Sequence, residues 1–544
     1  MELPQLKNIA NAKFSKKYDG YIQYGTAGFR TRADVLEHVL YRMGLLAVLR
    51  SKVKKAVIGL MITASHNIGT DNGVKLVDPA GEMLEASWES IATSLANIED
   101  SKLVSKIQQI IREQNIDMSI NATVIVGRDT RESGPVLLDA AIAGIQALNG
   151  IVKDFGIVTT PQLHYLVVCT NTNGNYGEPT LHGYYGKISK AFKYIRQNKI
   201  NNGQYVAELS LDAANGVGGI AAKEFQKYLG TTITINMYND KDGELNYMCG
   251  ADYVKVKQVP PINFVLKPNI RCVSIDGDAD RVIYFYQDEN SKFHLLDGDR
   301  IATLIAGYFK ELLEESCLSF QLGVVQTAYA NGGSTNYISN VLQIPIACVS
   351  TGVKHLHSKA LEFDIGIYFE ANGHGTVLFK NTVIETLKNA AENLELSSTE
   401  RAAACRLANI IDVINQTVGD AFSDILLVET ILHAKGWNIK DWEHNYQDLP
   451  NRQLLVKVAD KNIVTTTDAE RRCITPVGLQ NEIDKVVSQY RRGRSFVRPS
   501  GTEDVVRVYA ECENLNDLNK LIADVALLVY KHAGGVGPEP QLPQ

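Results

Sequence analysis

Residues 123–158 read TVIVGRDTRESGPVLLDAAIAGIQALNGIVKDFGIV, and this stretch decides the fold class. Thr123–Val126 is a short apolar run rich in β-branched residues, the composition of a buried strand. Ser133 precedes the helix-like run Val136–Leu148, and Asn149-Gly150 supplies the stop signal. Ile151–Val158 reads as the next strand. A strand, helix, strand order favours parallel pairing through a right-handed crossover. Upstream, KAVIGLMIT at 55–63 has the same buried-strand character, so the N-terminal segment is an α/β unit.

Working outward, the polar TNTNGNYGEPTLH at 170–182 marks a first domain boundary. A second α/β unit follows, with strands at Tyr205–Leu211, near Thr231–Asn236 and at Cys272–Ile275, and a helix after Gly219. A third opens at LDGDR, where Ile301–Leu313 has a helical period. Strand-like Gly323–Gln326, Ile346–Val349 and Ile365–Phe369 come next, then helices through Lys435. Trp437–Arg452 is polar and aromatic without a period and reads as a linker. The remainder forms a small α+β unit ending in GGVGPEPQLPQ, expected to fray. The expected domains are 1–182, 183–296, 297–452 and 453–544. No solenoid period is present, but three successive α/β units suggest a distant triplication.

A chain of 544 residues can bury several cores, and 45% hydrophobic with 21% charged residues is ordinary for a globular protein. The net charge of −6 gives no footprint for nucleic acid or an anionic membrane. The N-terminus lacks a signal-peptide apolar core, and no run is long enough to span a bilayer. Eight scattered Cys without a CxxC pair read as reduced, mostly buried thiols. These features predict a cytoplasmic protein, with no nucleic-acid, membrane or obligate protein partner implied.

The strongest chemical signal is DGDADR at 276–281, directly after the apolar strand CVSI. Alternation along an extended chain can turn Asp276, Asp278 and Asp280 the same way, with Gly277 and Ala279 keeping the other side open. Three such carboxylates repel unless a cation sits among them, and an oxygen-only set suits Mg²⁺. An EF-hand is excluded, because Arg281 stands at its sixth position and Gln287 at its twelfth. A solvated acidic turn is the competing reading of the triplet by itself.

TASHN at 63–67 lies at the C-terminal end of a strand, where open α/β sheets bind ligands. Ser65 there is either a phosphoryl-carrying nucleophile or a simple helix cap. Asp71-Asn72-Gly73 is a turn signal, and Lys75 adds a positive charge. Arg498-Pro499-Ser500-Gly501-Thr502-Glu503 combines a guanidinium, hydroxyls and a glycine-exposed backbone, with Arg507 following, as an anion cradle would. Arg491, Arg492 and Arg494 add local positive charge, or form a solvated run. EANGHG at 370–375 presents an acid, an amide and an imidazole on a loop suited to sugar hydroxyls or to an ordinary hairpin. GTAGFR at 25–30 is a glycine-loosened turn ending in Arg30. His38, His164, His294 and His433 are assigned to packing or surface.

Taken together and in order, GTAGFR (25–30), TASHN (63–67), DGDADR (276–281), EANGHGT (370–376) and RPSGTED (498–504) resemble the α-D-phosphohexomutase superfamily from end to end. ITASHN, DNGVKLVDPAGEML and FEANGHGTV carry a narrower resemblance to its eukaryotic phosphoacetylglucosamine mutase branch. Ile68 departs from the Pro that many relatives have, which changes loop stiffness and removes no functional group. The resemblance implies three α/β domains with mixed sheets and a smaller C-terminal α+β domain closing over a central cleft. It implies that Ser65 is phosphorylated, and that Asp276, Asp278 and Asp280 hold one Mg²⁺ with the Ser65 phosphate. It places Glu370 and Asn372 on the sugar hydroxyls and Gly373, His374 and Arg281 among the substrate-binding residues. Arg498, Ser500, Gly501, Thr502 and Arg507 would then hold the substrate's own phosphate. His66, Lys75 and Arg30 are unranked candidates for the general acid and base.

The implied activity interconverts N-acetylglucosamine 6-phosphate and 1-phosphate through a sugar 1,6-bisphosphate, for UDP-N-acetylglucosamine synthesis. A glucose or mannose phosphomutase is the alternative within the superfamily. A Ser-nucleophile metal-dependent sugar phosphatase is a more distant one, and the separate anion cradle argues against it.

Overall fold

The computed structural model describes residues 13–25, 28–196, 203–500 and 504–541. Its first sheet contains β1 (Phe29–Arg32), β2 (Ile58–Ile62), β3 (Asp71–Val77), β4 (Thr123–Arg128) and β5 (Ile151–Ile157). Their order is β1-β3-β2-β4-β5, antiparallel at the β1 and β3 side and parallel from β2 to β5. Every residue of β2, IGLMI, is buried, which is why this strand is continuously apolar. Helices α1 (Glu37–Lys54), α2 (Gly134–Ala147) and α3 (Thr160–Asn171) cover the sheet.

The second sheet contains β6 (Glu208–Asp212), β7 (Thr234–Tyr238), β8 (Cys272–Ile275), β9 (Val282–Gln287) and β10 (Phe293–Leu296), in the order β10-β9-β8-β6-β7. It repeats the first pattern: a central strand, parallel neighbours on one side and an antiparallel hairpin partner on the other. The third contains β11 (Leu322–Thr327), β12 (Ile346–Val349), β13 (Ile365–Phe369) and β14 (Gly375–Phe379), ordered β12-β11-β13-β14. The loops β2–β3, β8–β9 and β13–β14 therefore occupy the same topological place in three sheets. They carry Ser65, the acidic triplet and Glu370–His374 respectively. The triplication read from the sequence is visible here as repeated topology.

The chain divides into two compact units. One comprises residues 1–297, 372–376 and 408–439, with the first two sheets. The other comprises 298–371, 377–407 and 440–544, with the third sheet, β15 (Asn451–Lys457), β16 (Thr465–Thr467), β17 (Arg472–Thr475), β18 (Arg494–Pro499) and β19 (Val505–Glu511). The order β15-β19-β18 is antiparallel throughout, and α4 (Leu515–His532) packs on it.

Several expectations are corrected. Asp71-Asn72-Gly73 is not a turn but the start of β3. Asn72 accepts from Gly73 N at 2.8 Å and donates to Ser133 Oγ at 2.9 Å, so satisfied polar side chains hide the strand from a hydropathy reading. The segment 170–182 is packed at Tyr176, whose ring lies tilted 5.8 Å from that of Tyr165 and whose hydroxyl accepts from Gln416 N at 2.9 Å. Trp437–Arg452 is not a loose linker. Trp442 is 1% exposed and donates to Arg300 O, while the Arg300 guanidinium holds Glu443 O, Tyr446 O and Asp448. The start of the C-terminal segment is also pinned, since Val536 N donates to Lys457 O at 2.9 Å and Tyr530 OH to Gly537 O at 2.7 Å, while 542–544 lie outside the described residues. Five of the eight cysteines are buried, Cys317 is exposed, and none of the eight forms a disulfide.

Candidate active site

Within the first unit, Ser65 sits just beyond β2 with a left-handed φ of +52°. Such a conformation costs a non-glycine residue roughly 1–2 kcal/mol, so its surroundings must hold it there. The residue is fully buried, its N–H donates to Thr63 Oγ1 at 2.9 Å, and its Oγ donates to Asp276 Oδ2 at 2.7 Å.

The three aspartates converge, but not by strand alternation. Residues 276–280 form a tight turn, with Ala279 N donating to Asp276 O at 3.0 Å and Ala279 at φ +58°. Nor is the Gly277 side open: a Cβ there would lie 2.7 Å from Ser65 O, so glycine lets the two loops touch. One oxygen from each of Asp276, Asp278 and Asp280 lies within 4.8 Å of the others, all three residues buried. Asp278 Oδ1 has no hydrogen-bond partner among the described residues. A buried, oxygen-only trio with a lone pair to spare fits a hard divalent cation such as Mg²⁺. Burial and the neighbouring carboxylates push the Asp276 carboxyl well above the usual range. Burial also pushes Asp280 up, yet Lys75, His374 and Arg281 outweigh it and hold that carboxyl well below.

Cations surround the trio. Lys75, on β3, is 3.1 Å from both Asp278 and Asp280, and their charges raise its pKa despite burial. Arg281 lies 3.7 Å from Asp276 and 3.8 Å from Asp280. Arg30 Nη1 is 3.5 Å from His66 Nδ1. The charge of Arg281, then burial and Arg30, press the His66 pKa down to about 2, so its ring is neutral. His374 Nδ1 is 3.4 Å from Asp280, because residues 372–376 belong to this unit. Gly373, at φ +85°, leaves no room for a Cβ against Val282 O and brings the loop onto β9.

In the second unit, Arg498 and Arg507 are directly opposed in the pairing of β18 with β19. Arg498 Nε is 3.2 Å from Glu470, and Ser500 is buried. Glu370 follows directly on the end of β13, half-buried. Gly501 and Thr502 lie outside the described residues. Arg494 does not serve an anion: it pairs with Glu511 at 2.8 Å and donates to Ala328 O and Ala330 O. Arg491 is exposed and pairs with Glu513.

The human phosphoacetylglucosamine mutase is 52% identical to this chain over 521 residues, 96% of each protein. The chain belongs to the phosphoacetylglucosamine mutase family. The family model for domain III of these mutases matches residues 297–437. Models of phosphoglucomutase/phosphomannomutase domain I match 36–102 and 100–175, and that of the C-terminal domain matches 454–528. Among solved structures, the Aspergillus fumigatus N-acetylphosphoglucosamine mutase in complex with GlcNAc-6P and magnesium is 47% identical, with a TM-score of 0.93 over 98% of this chain and 99% of that one. A variant of the same enzyme in complex with glucose 1,6-bisphosphate is 46% identical at a TM-score of 0.92, over 98% and 99%.

The family member described here thus gathers Ser65, His66, Lys75, Arg30, Asp276, Asp278, Asp280, Arg281, Asn372, Gly373 and His374 in its first unit. It keeps Glu370, Arg498, Ser500 and Arg507 in the second. Sequence reasoning missed two partners of these groups. Thr160, at the start of α3, donates Oγ1 to Asp278 Oδ2 at 2.6 Å and its N–H to Asp278 O at 3.1 Å. Glu470 accepts from Thr351 N and Oγ1 at 2.9 and 2.5 Å while pairing with Arg498. Neither carries a local motif. Only the TP start of a helix signalled Thr160 as an N-terminal residue.

Proposed function

We propose that this protein interconverts N-acetylglucosamine 6-phosphate and N-acetylglucosamine 1-phosphate through a phosphorylated Ser65 and a sugar 1,6-bisphosphate. The observation that carries the reading is the 2.7 Å contact of Ser65 Oγ with a buried acid trio fit for a divalent cation. Asp276, Asp278 and Asp280 would hold Mg²⁺, which when bound supplies positive charge to the oxygens of the phosphoryl group in flight. The Ser65 Oγ–P bond breaks as a bond from phosphorus to the free sugar oxygen forms, and the proton that the sugar hydroxyl gives up ends on Ser65 Oγ. After the bisphosphate turns over, its other phosphoryl group returns to Ser65 Oγ and the freed sugar oxygen regains a proton. Lys75, Arg30 and Arg281 add fixed positive charge where negative charge develops. Buried Ser65 keeps water from the seryl phosphate, favouring transfer over hydrolysis.

Arg498 and Arg507, with Ser500, Gly501 and Thr502, would hold the phosphate that is not reacting, while Glu370, Asn372, Gly373 and His374 meet the sugar. The four-domain division at 182, 296 and 452 is supported by one sheet in each of the first three segments and by the sheet β15-β19-β18, which begins at Asn451, in the last. Eight cysteines without a disulfide support a cytoplasmic place, where the product would supply UDP-N-acetylglucosamine synthesis.

The test compares kcat/KM for N-acetylglucosamine 6-phosphate with that for glucose 6-phosphate. The acetylated sugar should be preferred. A preference for glucose 6-phosphate would replace this reading with the phosphoglucomutase one. A second expectation concerns the phosphate. Arg507→Ala removes a charge-assisted hydrogen bond of about 1.5–3 kcal/mol, so KM should rise roughly tenfold to hundredfold. kcat should fall too, because remote binding energy orients the sugar. Unchanged KM would take Arg507 out of the site.

A further inference from the structure

We infer that Arg131, fixed by Asp129 and assisted by Asn246, is the positioning residue that holds Ser65 in its reactive conformation. This inference rests on the proposed role of Ser65 as phosphoryl carrier. Arg131 has a completely buried side chain, and all five of its guanidinium N–H groups are used. Nε donates to Asp129 Oδ2 at 3.0 Å. Nη1 donates to Ile68 O at 2.5 Å and Asp71 O at 2.8 Å, and Nη2 to Ser65 O at 3.0 Å and Asn67 O at 2.8 Å. One planar group therefore gathers three carbonyls of the loop between β2 and β3 and that of Asp71 at the start of β3.

The loop is closed from two more directions. Asp129 Oδ2 also accepts from Thr63 Oγ1 at 2.8 Å, and that hydroxyl accepts from Ser65 N at 2.9 Å. Asn246, nearly two hundred residues along the chain, donates Nδ2 to Ser65 O and Asn67 O, both at 2.8 Å. Ser65 thus has its N–H and its carbonyl tied on opposite sides, which sustains the left-handed φ that a serine would not choose. Oγ is then aimed at Asp276. A phosphoryl carrier that donates to one sugar oxygen and reclaims from another must present the same Oγ position in both half-reactions. A loop fixed by backbone contacts meets that need without touching substrate.

Lysine cannot replace this fork, since its three donors do not lie in a plane. Arg131→Lys should lower kcat about tenfold to a hundredfold, since misplacing a reacting group by about 1 Å can itself cost roughly 10²-fold. The Kd for N-acetylglucosamine 6-phosphate, measured by calorimetry on dephosphorylated protein, should stay within twofold. Because a buried arginine can be needed for folding, Asn246→Gly is the second variant. Asn246 is itself left-handed at φ +56°, a conformation glycine adopts freely, so only the two amide contacts are lost. It should show the same split, with a Tm close to the parent's. Unchanged kcat in Asn246→Gly, or a Kd that weakens in step with kcat, would overturn the positioning role. Absence of phosphate on Ser65 in the active parent protein would instead remove the carrier reading itself, and that measurement is made without either variant.

Discussion

Replacing Ser65 by alanine should leave a folded protein that still binds the sugar phosphate but turns it over at least roughly 10³-fold more slowly. The effect is confined to kcat because Oγ forms and breaks bonds only in the chemical steps. Folding should survive. The loop is held through the Ser65 N–H and carbonyl, which alanine keeps, and the lost contact is one hydrogen bond to Asp276. Losing that hydrogen bond costs about 1–3 kcal/mol, a modest loss for a chain of this size, and Arg281 still lies 3.7 Å from the same oxygen. Mass analysis supplies an independent check. The parent protein should carry a fraction of one phosphate, about +80 Da on the peptide containing Ser65, the mark of a seryl-phosphate intermediate. An alanine variant with near-parental kcat, or a stable phosphate found only elsewhere, would leave the mutase reading without its carrier.

The acidic triplet, Ser65 and the parallel cores of the sheets were legible because each has a local signature: three carboxylates in five residues, a serine at a strand end, a continuous apolar run. What the sequence hid was of another kind. β3 begins with Asp-Asn-Gly, whose polar groups are satisfied by Ser133 and by its own backbone, so a strand looks like a turn. Arg494 sits among other arginines in the sequence, but Glu511 and two carbonyls decide its role. Arg131, Asn246 and Thr160 act on Ser65 and Asp278 from 66, 181 and 118 residues away, a separation that no local pattern records. Even the convergence of the aspartates was expected for the wrong reason, since a turn with Ala279 in left-handed conformation brings them together. Motif chemistry survives such errors because it depends on which groups meet, and the backbone path that brings them together can vary.

Chelation of divalent cations should abolish turnover while the protein stays folded, and added Mg²⁺ should restore it. The two halves of that expectation come from one cluster. Activity needs a cation because three buried carboxylates beside Ser65 would otherwise repel an incoming phosphoryl group. Folding does not need one, because the chain provides its own countercharge. Lys75 lies 3.1 Å from Asp278 and Asp280, Arg281 lies under 4 Å from Asp276 and Asp280, and the His374 ring is 3.4 Å from Asp280. Asp278→Asn should reproduce the loss at ordinary Mg²⁺ and weaken the ion's binding at least roughly 10–100-fold, since removing a ligand costs no less than disturbing its supports. Its amide can still accept from Thr160 and Lys75, so the melting temperature should move little compared with the activity. Calorimetric Mg²⁺ titration of the parent and the variant reads binding directly. Full turnover in strong chelator would refute the assignment. Unfolding of the parent on chelation would show instead that the ion is structural and that the lysine and arginine charges do not balance the trio.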